Sequence, residues 1–205
     1  VIAIPFYPGG NLLDAGQVGY DLSRNYLSEL GGYHAQSGEI NFFSAFFFNM
    51  GVFAFLLVGV SFFFTPRLFA YHRVAYICSF IGSILMVLGC LLFAAVGLTP
   101  YDLYFKAHLF VVQNAFRFIV PATFFYVTAL YLVRVPRVYL IIGVIYFVCN
   151  VLYVIYQLLF ENPQAGEASL IEAVIIQKII IGLSLLHFIS LSFAFAKLQN
   201  DKLNK

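Results

Sequence analysis

Charge is what this chain has least of: Asp, Glu, Lys and Arg together make up 10% of its 205 residues. A soluble domain keeps about a quarter of its residues charged, so an ordinary water-facing surface is excluded. Tryptophan is absent, and the aromatic bulk is carried by 25 Phe and 14 Tyr. Cys78, Cys90 and Cys149 all sit inside apolar runs, at no close spacing. An odd number so placed offers neither a disulfide framework nor a zinc knuckle, and reads as small hydrophobes in helix packing. The net charge of +2 gives no basic excess for nucleic acid, and the chain holds no glycine-rich phosphate loop.

What is present is hydrophobicity in long blocks, with 62% apolar residues. A helix needs about 20 apolar residues to cross a bilayer. Five segments meet that length: 40–64, 74–98, 108–133, 138–160 and 173–196. Residues 1–6 are apolar as well and end at Pro8-Gly9-Gly10, which reads as the end of a first span in preference to that of a cleaved signal peptide. The connections are short, so consecutive spans are expected to pack as antiparallel neighbours in one domain. The fold class expected is all-α, a transmembrane bundle of about six spans.

Charge alternates between the joins. Arg67, Arg73, Arg134, Arg137, Lys197, Lys202 and Lys205 gather on one side, offset there by Asp201. The other side holds Asp14, Asp21, Glu29, Glu39, Asp102, Glu161, Glu167 and Glu172, with Arg24 and Lys106. The positive-inside rule puts the basic joins and the C-terminus in the cytoplasm and the 7–39 segment outside, and a first span leading to that segment puts the N-terminus in the cytoplasm too. Within that segment, residues 21–30 have an amphipathic pattern: Leu22, Tyr26, Leu27 and Leu30 fall on one side of a helix, Arg24, Asn25 and Ser28 on the other. A short helix is expected there, on the membrane surface or over the bundle mouth.

The run Arg24-Asn25-Tyr26-Leu27-Ser28-Glu29-Leu30-Gly31, followed at the next span by Phe48-Asn49-Met50-Gly51, resembles the bacterial branch of the Frag/DRAM/Sfk-type integral membrane proteins. Those have about six spans and an R-N-[FY]-L-S-[DE]-L-G element in the first outer loop. The likeness covers some thirty residues; beyond Gly51 it rests on span number and spacing. It implies a lipid-related role without a reaction, a preceding first helix, and a place in a bacterial cytoplasmic membrane.

Polar groups at membrane depth are costly and mark sites. Gln113, Asn114 and Arg117 share one face of the 108–133 span with Pro121, and Arg117 lies about 14 Å along the helix from His108. Tyr146, Asn150, Tyr153 and Gln157 form a stripe on the next span, and Asn49 enters to a similar depth. These groups are candidates for lining an outward-facing polar seam, with Arg24, Ser28 and Glu29 of the outer segment above it. No span supplies a carboxylate for Arg117, so its partner is expected to be Asp21 or Glu29 dipping inward, or a bound anion such as a lipid phosphate. The plain alternative is that Asn, Gln and Tyr merely hydrogen-bond between helices, at about 1 kcal/mol each. Lys178 is close enough to the end of its span to snorkel outward. His187 lies deeper, and a hydrogen-bonded bundle histidine is favoured over a metal or haem ligand because no second histidine pairs with it. Asp102 and His108 are too few for catalytic zinc. Ser79, Ser83, Met86 and Cys90 make a close-packing face on the 74–98 span.

The function expected is therefore non-enzymatic: binding or organising membrane lipid, anionic lipid included, or a small amphiphile. The alternative is an accessory subunit packed against protein partners in a membrane complex. A lipid-modifying enzyme using Ser28, Glu29 or His108 is the minor reading, since no nucleophile–base pair has a meaningful spacing. No cofactor is indicated.

Overall fold

The computed structural model describes residues 2–203, which carry no strand and are dominated by five long helices. These are α1 (Phe42–Phe62), α2 (Arg73–Ala95), α3 (Phe105–Leu132), α4 (Arg137–Leu159) and α5 (Glu167–Leu203). All five are long and apolar enough to cross a membrane, the signature of a multi-pass membrane protein. Short joins make them run alternately up and down, so residues 7–39 share a face with the α2–α3 and α4–α5 joins. We call it the loop-rich face.

The helix bounds depart from the apolar runs where helix and hydrophobicity part company. Asn41 begins α1 two residues late because its amide nitrogen donates to the carbonyls of Glu29 (3.3 Å), Leu30 (3.1 Å) and Gly32 (3.1 Å) and is held by the loop. Past Phe62 the chain tightens and then makes the 3-10 turn Thr65–Phe69, where Pro66 sits at the start. Helix α5 overruns its apolar run at both ends, since Glu, Lys and Gln end a span but are good helix formers. Of the stretch read as the end of a first span, Ile4–Phe6 is one 3-10 turn, with Phe6 stacked on Phe47 at 5.3 Å between centroids. Val1 and Lys205 lie outside the described residues.

Membrane helices associate through packing and interhelical hydrogen bonds rather than water exclusion, so small residues matter. The α2–α3 pair is the most extensive contact in the bundle. Ser79, Ser83, Met86 and Cys90 are all buried. A Cβ on Gly89 would fall 2.7 Å from Ile119 Cγ1, and one on Gly82 3.1 Å from the Tyr126 ring. The small face therefore serves packing within the chain. Below it, the Tyr126 hydroxyl meets Ser83 Oγ at 2.6 Å and Thr65 Oγ1, joining α3, α2 and the α1–α2 join.

Helix α1 is the loosest member. It buries only Ser44, Gly59 and Phe62 and packs mainly on α2. Towards the far face it meets α5 through long side chains, Phe55 with Phe188 and Phe62 with Phe195. Nearer the loop-rich face α1 and α5 stand apart.

Candidate functional site

The 7–39 segment is not one amphipathic helix over residues 21–30. Asp21–Asn25 makes a turn, Tyr26 is extended (ψ 149°), and a 3-10 helix covers Leu27–Gly31. The cause is Asn25, whose side chain competes for backbone partners. Its Oδ1 accepts from Asp21 N (2.9 Å) and Gln17 Nε2 (2.7 Å), while Nδ2 donates to Gly10 O (2.7 Å) and to Glu29 Oε2. With Tyr26 extended, Leu27 N donates to Gln177 Oε1 of α5 at 3.0 Å. The Tyr26 hydroxyl donates to Glu161 Oε1 at 3.3 Å.

Other ties hold the segment down. Asp102 accepts the amides of Tyr33 and His34, each at 2.9 Å, and Ser44 Oγ donates to Leu30 O at 3.1 Å. Arg24 is paired with Asp21 at 2.8 Å and with Glu167 at 2.5 Å. Lys178 reaches towards the loop-rich face as a snorkelling lysine does, and is captured there: Nζ donates to Asn25 O at 2.5 Å and stands 5.3 Å from the Tyr20 ring centroid. Gly31 lies beneath α1, where a Cβ would come 2.5 Å from Phe48 Cδ1 and 3.1 Å from Asn49 Oδ1. The two stretches of the sequence signature therefore touch.

Beneath this cover is a cavity of about 380 Å³ between the segment, α3, α4 and α5. Ser28, Glu29, Gln113, Tyr153 and Gln157 line it, so five of the sequence-derived candidates meet in one place. Tyr26, Tyr101, His108, Glu161 and Gln177 join them. The sequence marks Glu161 only as a loop charge; nothing in its local pattern distinguishes it from Glu167, which pairs with Arg24 instead. Gln177 does give a signal, being an amide inside an apolar run.

Glu29 is only 3% exposed, and its carboxylate accepts from Asn25 and from Gln36 Nε2 at 3.4 Å. Burial pushes its pKa up to about 7, against the opposing pull of these hydrogen bonds and of Lys178. Burial raises Glu161 too, partly offset by the Tyr26 hydroxyl. Asp21 is moved the other way, to about 2, first by the Ser23 hydroxyl and then by the Ser23 amide and Arg24.

A second cavity, about 630 Å³ and lined almost wholly by apolar side chains, fills the gap between α1 and α5. It includes Phe48, Gly51, Phe55, Phe116 and Ile181. Ser28, Val112 and Gln177 line both cavities, so the polar and apolar spaces meet at these residues.

The remaining candidates lie elsewhere. Arg117 hydrogen-bonds Gln113 Oε1 at 3.2 Å on its own helix and lines neither cavity. Neither Asp21 nor Glu29 reaches it; among the described residues it forms no ion pair. Asn114 turns back to the Phe110 carbonyl at 2.7 Å. Asn150 is fully buried with both side-chain polar atoms unpartnered. The expected hydrogen bond of His187 is absent as well: it is 1% exposed, stacked on Tyr146 at 4.6 Å, with both ring nitrogens unpartnered. Among the described residues no cluster of His, Cys, Asp or Glu has the makings of a metal site. Comparison of this chain with protein-family models, with curated proteins and with solved structures finds no match.

Proposed function

We propose that this is a non-enzymatic, multi-pass membrane protein that binds a small amphiphile or lipid, with the headgroup in the polar cavity and the tail in the apolar one. The observation that carries the reading is the junction at Ser28, Val112 and Gln177, where a space lined by amides, phenols and carboxylates becomes one lined by hydrocarbon. Pockets that take small molecules combine a largely apolar wall with a few placed polar groups. The reading moves the emphasis from Arg117 to Glu29, Gln113 and Gln157. The same proposal keeps the cytoplasmic placing of both chain ends and a bundle of about six spans, with the basic joins on one face as its support. It keeps the likeness to the Frag/DRAM/Sfk-type proteins through the contact of Gly31 with Phe48 and Asn49.

The test is native mass spectrometry of the protein released from its membrane, with and without Val112→Trp, which fills the junction. The expected result is a bound amphiphile on the wild type and none on the variant. Equal occupancy of both, or no adduct on either, sinks the reading.

A second reading is favoured by α1. Its face bearing Phe42, Phe43, Phe46 and Met50 is exposed, with Phe6 lying against Phe43 at 6.1 Å between ring centroids and Met50 at the edge of the apolar cavity. Such a surface suits another helix, and an accessory subunit of a membrane complex uses one in this way. Co-purification of a stoichiometric protein partner in mild detergent, lost when Phe43 and Met50 are both changed to Ala, is the supporting result.

A further inference from the structure

We propose that the cavity beside Glu29 selects an amphiphile whose headgroup is a protonated primary amine, an inference that rests on the amphiphile reading above. Among the polar groups that line the cavity are two acceptors without a partner. His108 is 5% exposed, and its Nδ1 lies 2.8 Å from the Thr99 carbonyl oxygen. A carbonyl only accepts, so Nδ1 carries the proton and Nε2 is left as an acceptor. That Nε2 has no partner among the described residues. Gln157 Oε1 is buried and likewise unpartnered. Glu29 and Glu161 add two carboxylates, and among the described residues no lysine or arginine lines the space. Lys178, whose charge acts on Glu29, is held at the Asn25 carbonyl and the Tyr20 ring.

Unpaired buried acceptors demand donors, and a pair of carboxylates demands positive charge. A primary ammonium supplies both: three N–H donors on one centre, with a single alkyl substituent free to leave through the junction at Val112. The rings of Tyr26, Tyr101 and Tyr153 add faces of the kind that attract a cation. An alcohol brings one donor and no charge. A fatty carboxylate brings a third negative charge beside Glu29 and Glu161. Burial holds the Glu29 pKa near 7, and a neighbouring ammonium would restore its ionised form.

The test uses the full chain in phosphatidylcholine nanodiscs at pH 7.5, titrated with radiolabelled dodecylamine, dodecanol or dodecanoate and corrected for uptake by empty discs. Saturable dodecylamine binding is expected, tighter than the other two by about tenfold or more. Glu29→Gln and Glu161→Gln should each weaken the amine by about tenfold and dodecanol by much less, since the alcohol carries no charge. The partly exposed Glu161 keeps the test decisive if the Glu29 variant fails to fold. Saturable binding in which dodecanol or dodecanoate equals the amine overturns the amine inference while the amphiphile reading stands. No saturable binding of any of the three overturns both. Butylamine binding as tightly as dodecylamine supports the amine and removes the tail.

Discussion

Changing Glu29 to Gln should alter how stability depends on pH, and the sign follows from its burial. The folded protein lifts the Glu29 pKa from its ordinary 4.5 to about 7. A raised carboxyl stabilises the fold through its protonated form. That contribution is fully present below pH 4.5, declines as pH rises, and is gone once pH has passed through 7. At about 1.4 kcal/mol per pH unit, the displacement corresponds to about 3 kcal/mol lost between pH 4.5 and pH 8.5. The amide introduced by Glu29→Gln would not titrate. It would meet the donors Asn25 Nδ2 and Gln36 Nε2, leaving one donor facing another at a cost of about 1 kcal/mol. The two melting curves should therefore cross. Glu29→Gln should be the less stable protein below pH 4 by about 1 kcal/mol, equal to the wild type near pH 5, and the more stable at pH 8.5 by about 2 kcal/mol.

Far-UV circular dichroism melts in dodecyl maltoside at half-unit pH steps would measure this, with a midpoint difference that changes sign and spans several degrees. The difference between the two proteins cancels the titration of groups they share. These include the other ionisable groups acting on or around Glu29, namely Tyr7, Tyr20, Tyr101 and Lys178. They also include Glu161, whose raised pKa gives a slope of the same sign. Parallel curves for wild type and variant, or a wild type that gains stability relative to the variant towards pH 8.5, would refute the reasoning.

Four further substitutions test the architecture by titration with denaturing detergent. Gly31→Ala places a methyl against the Phe48 ring and should destabilise by about 1–3 kcal/mol, whereas Gly38→Ala, beside no other atoms but at a positive φ of 86°, should cost about 1 kcal/mol through backbone strain alone. Tyr126→Phe removes the hydroxyl shared by Thr65 and Ser83 and should cost about 1 kcal/mol. Asn150→Leu exchanges two unpartnered buried polar atoms for hydrocarbon and should stabilise by about 1–2 kcal/mol; a loss of stability would show that Asn150 has a partner.

The five spans were legible because length and hydropathy decide what crosses a bilayer, and both are local properties of sequence. The limits of α5 were not, because Glu167 and Lys202 are unfavourable in hydrocarbon yet favourable in a helix that continues beyond it. Periodicity misled at residues 21–30: Leu22, Tyr26, Leu27 and Leu30 do fall on one helical face, but the bonds of Asn25 run to Gly10 and Gln17, partners no periodic pattern encodes. The polar seam was half legible. Gln113, Tyr153 and Gln157 converge because their spacing put them on facing stripes at one level. Arg117 drew attention by its charge, but a long side chain can satisfy itself on its own helix, and this one does so on Gln113. Glu161 was hidden because a loop carboxylate reveals its neighbours only once the loop is folded.

Helix α5 has 37 residues and is about 55 Å long, against a hydrocarbon thickness of about 30 Å. It is fastened near both ends. Arg24, Leu27 and Asn25 bond to it on the loop-rich face, and Lys202 Nζ donates to the Arg67 carbonyl at 2.7 Å on the other. Gln177, which lines both cavities, sits on the same rod. A stiff strut clamped at its two ends cannot tilt at one without loading the other. Whatever fills or empties the space beside Gln177 is thereby mechanically coupled, across the full thickness of the membrane, to the join between α1 and α2.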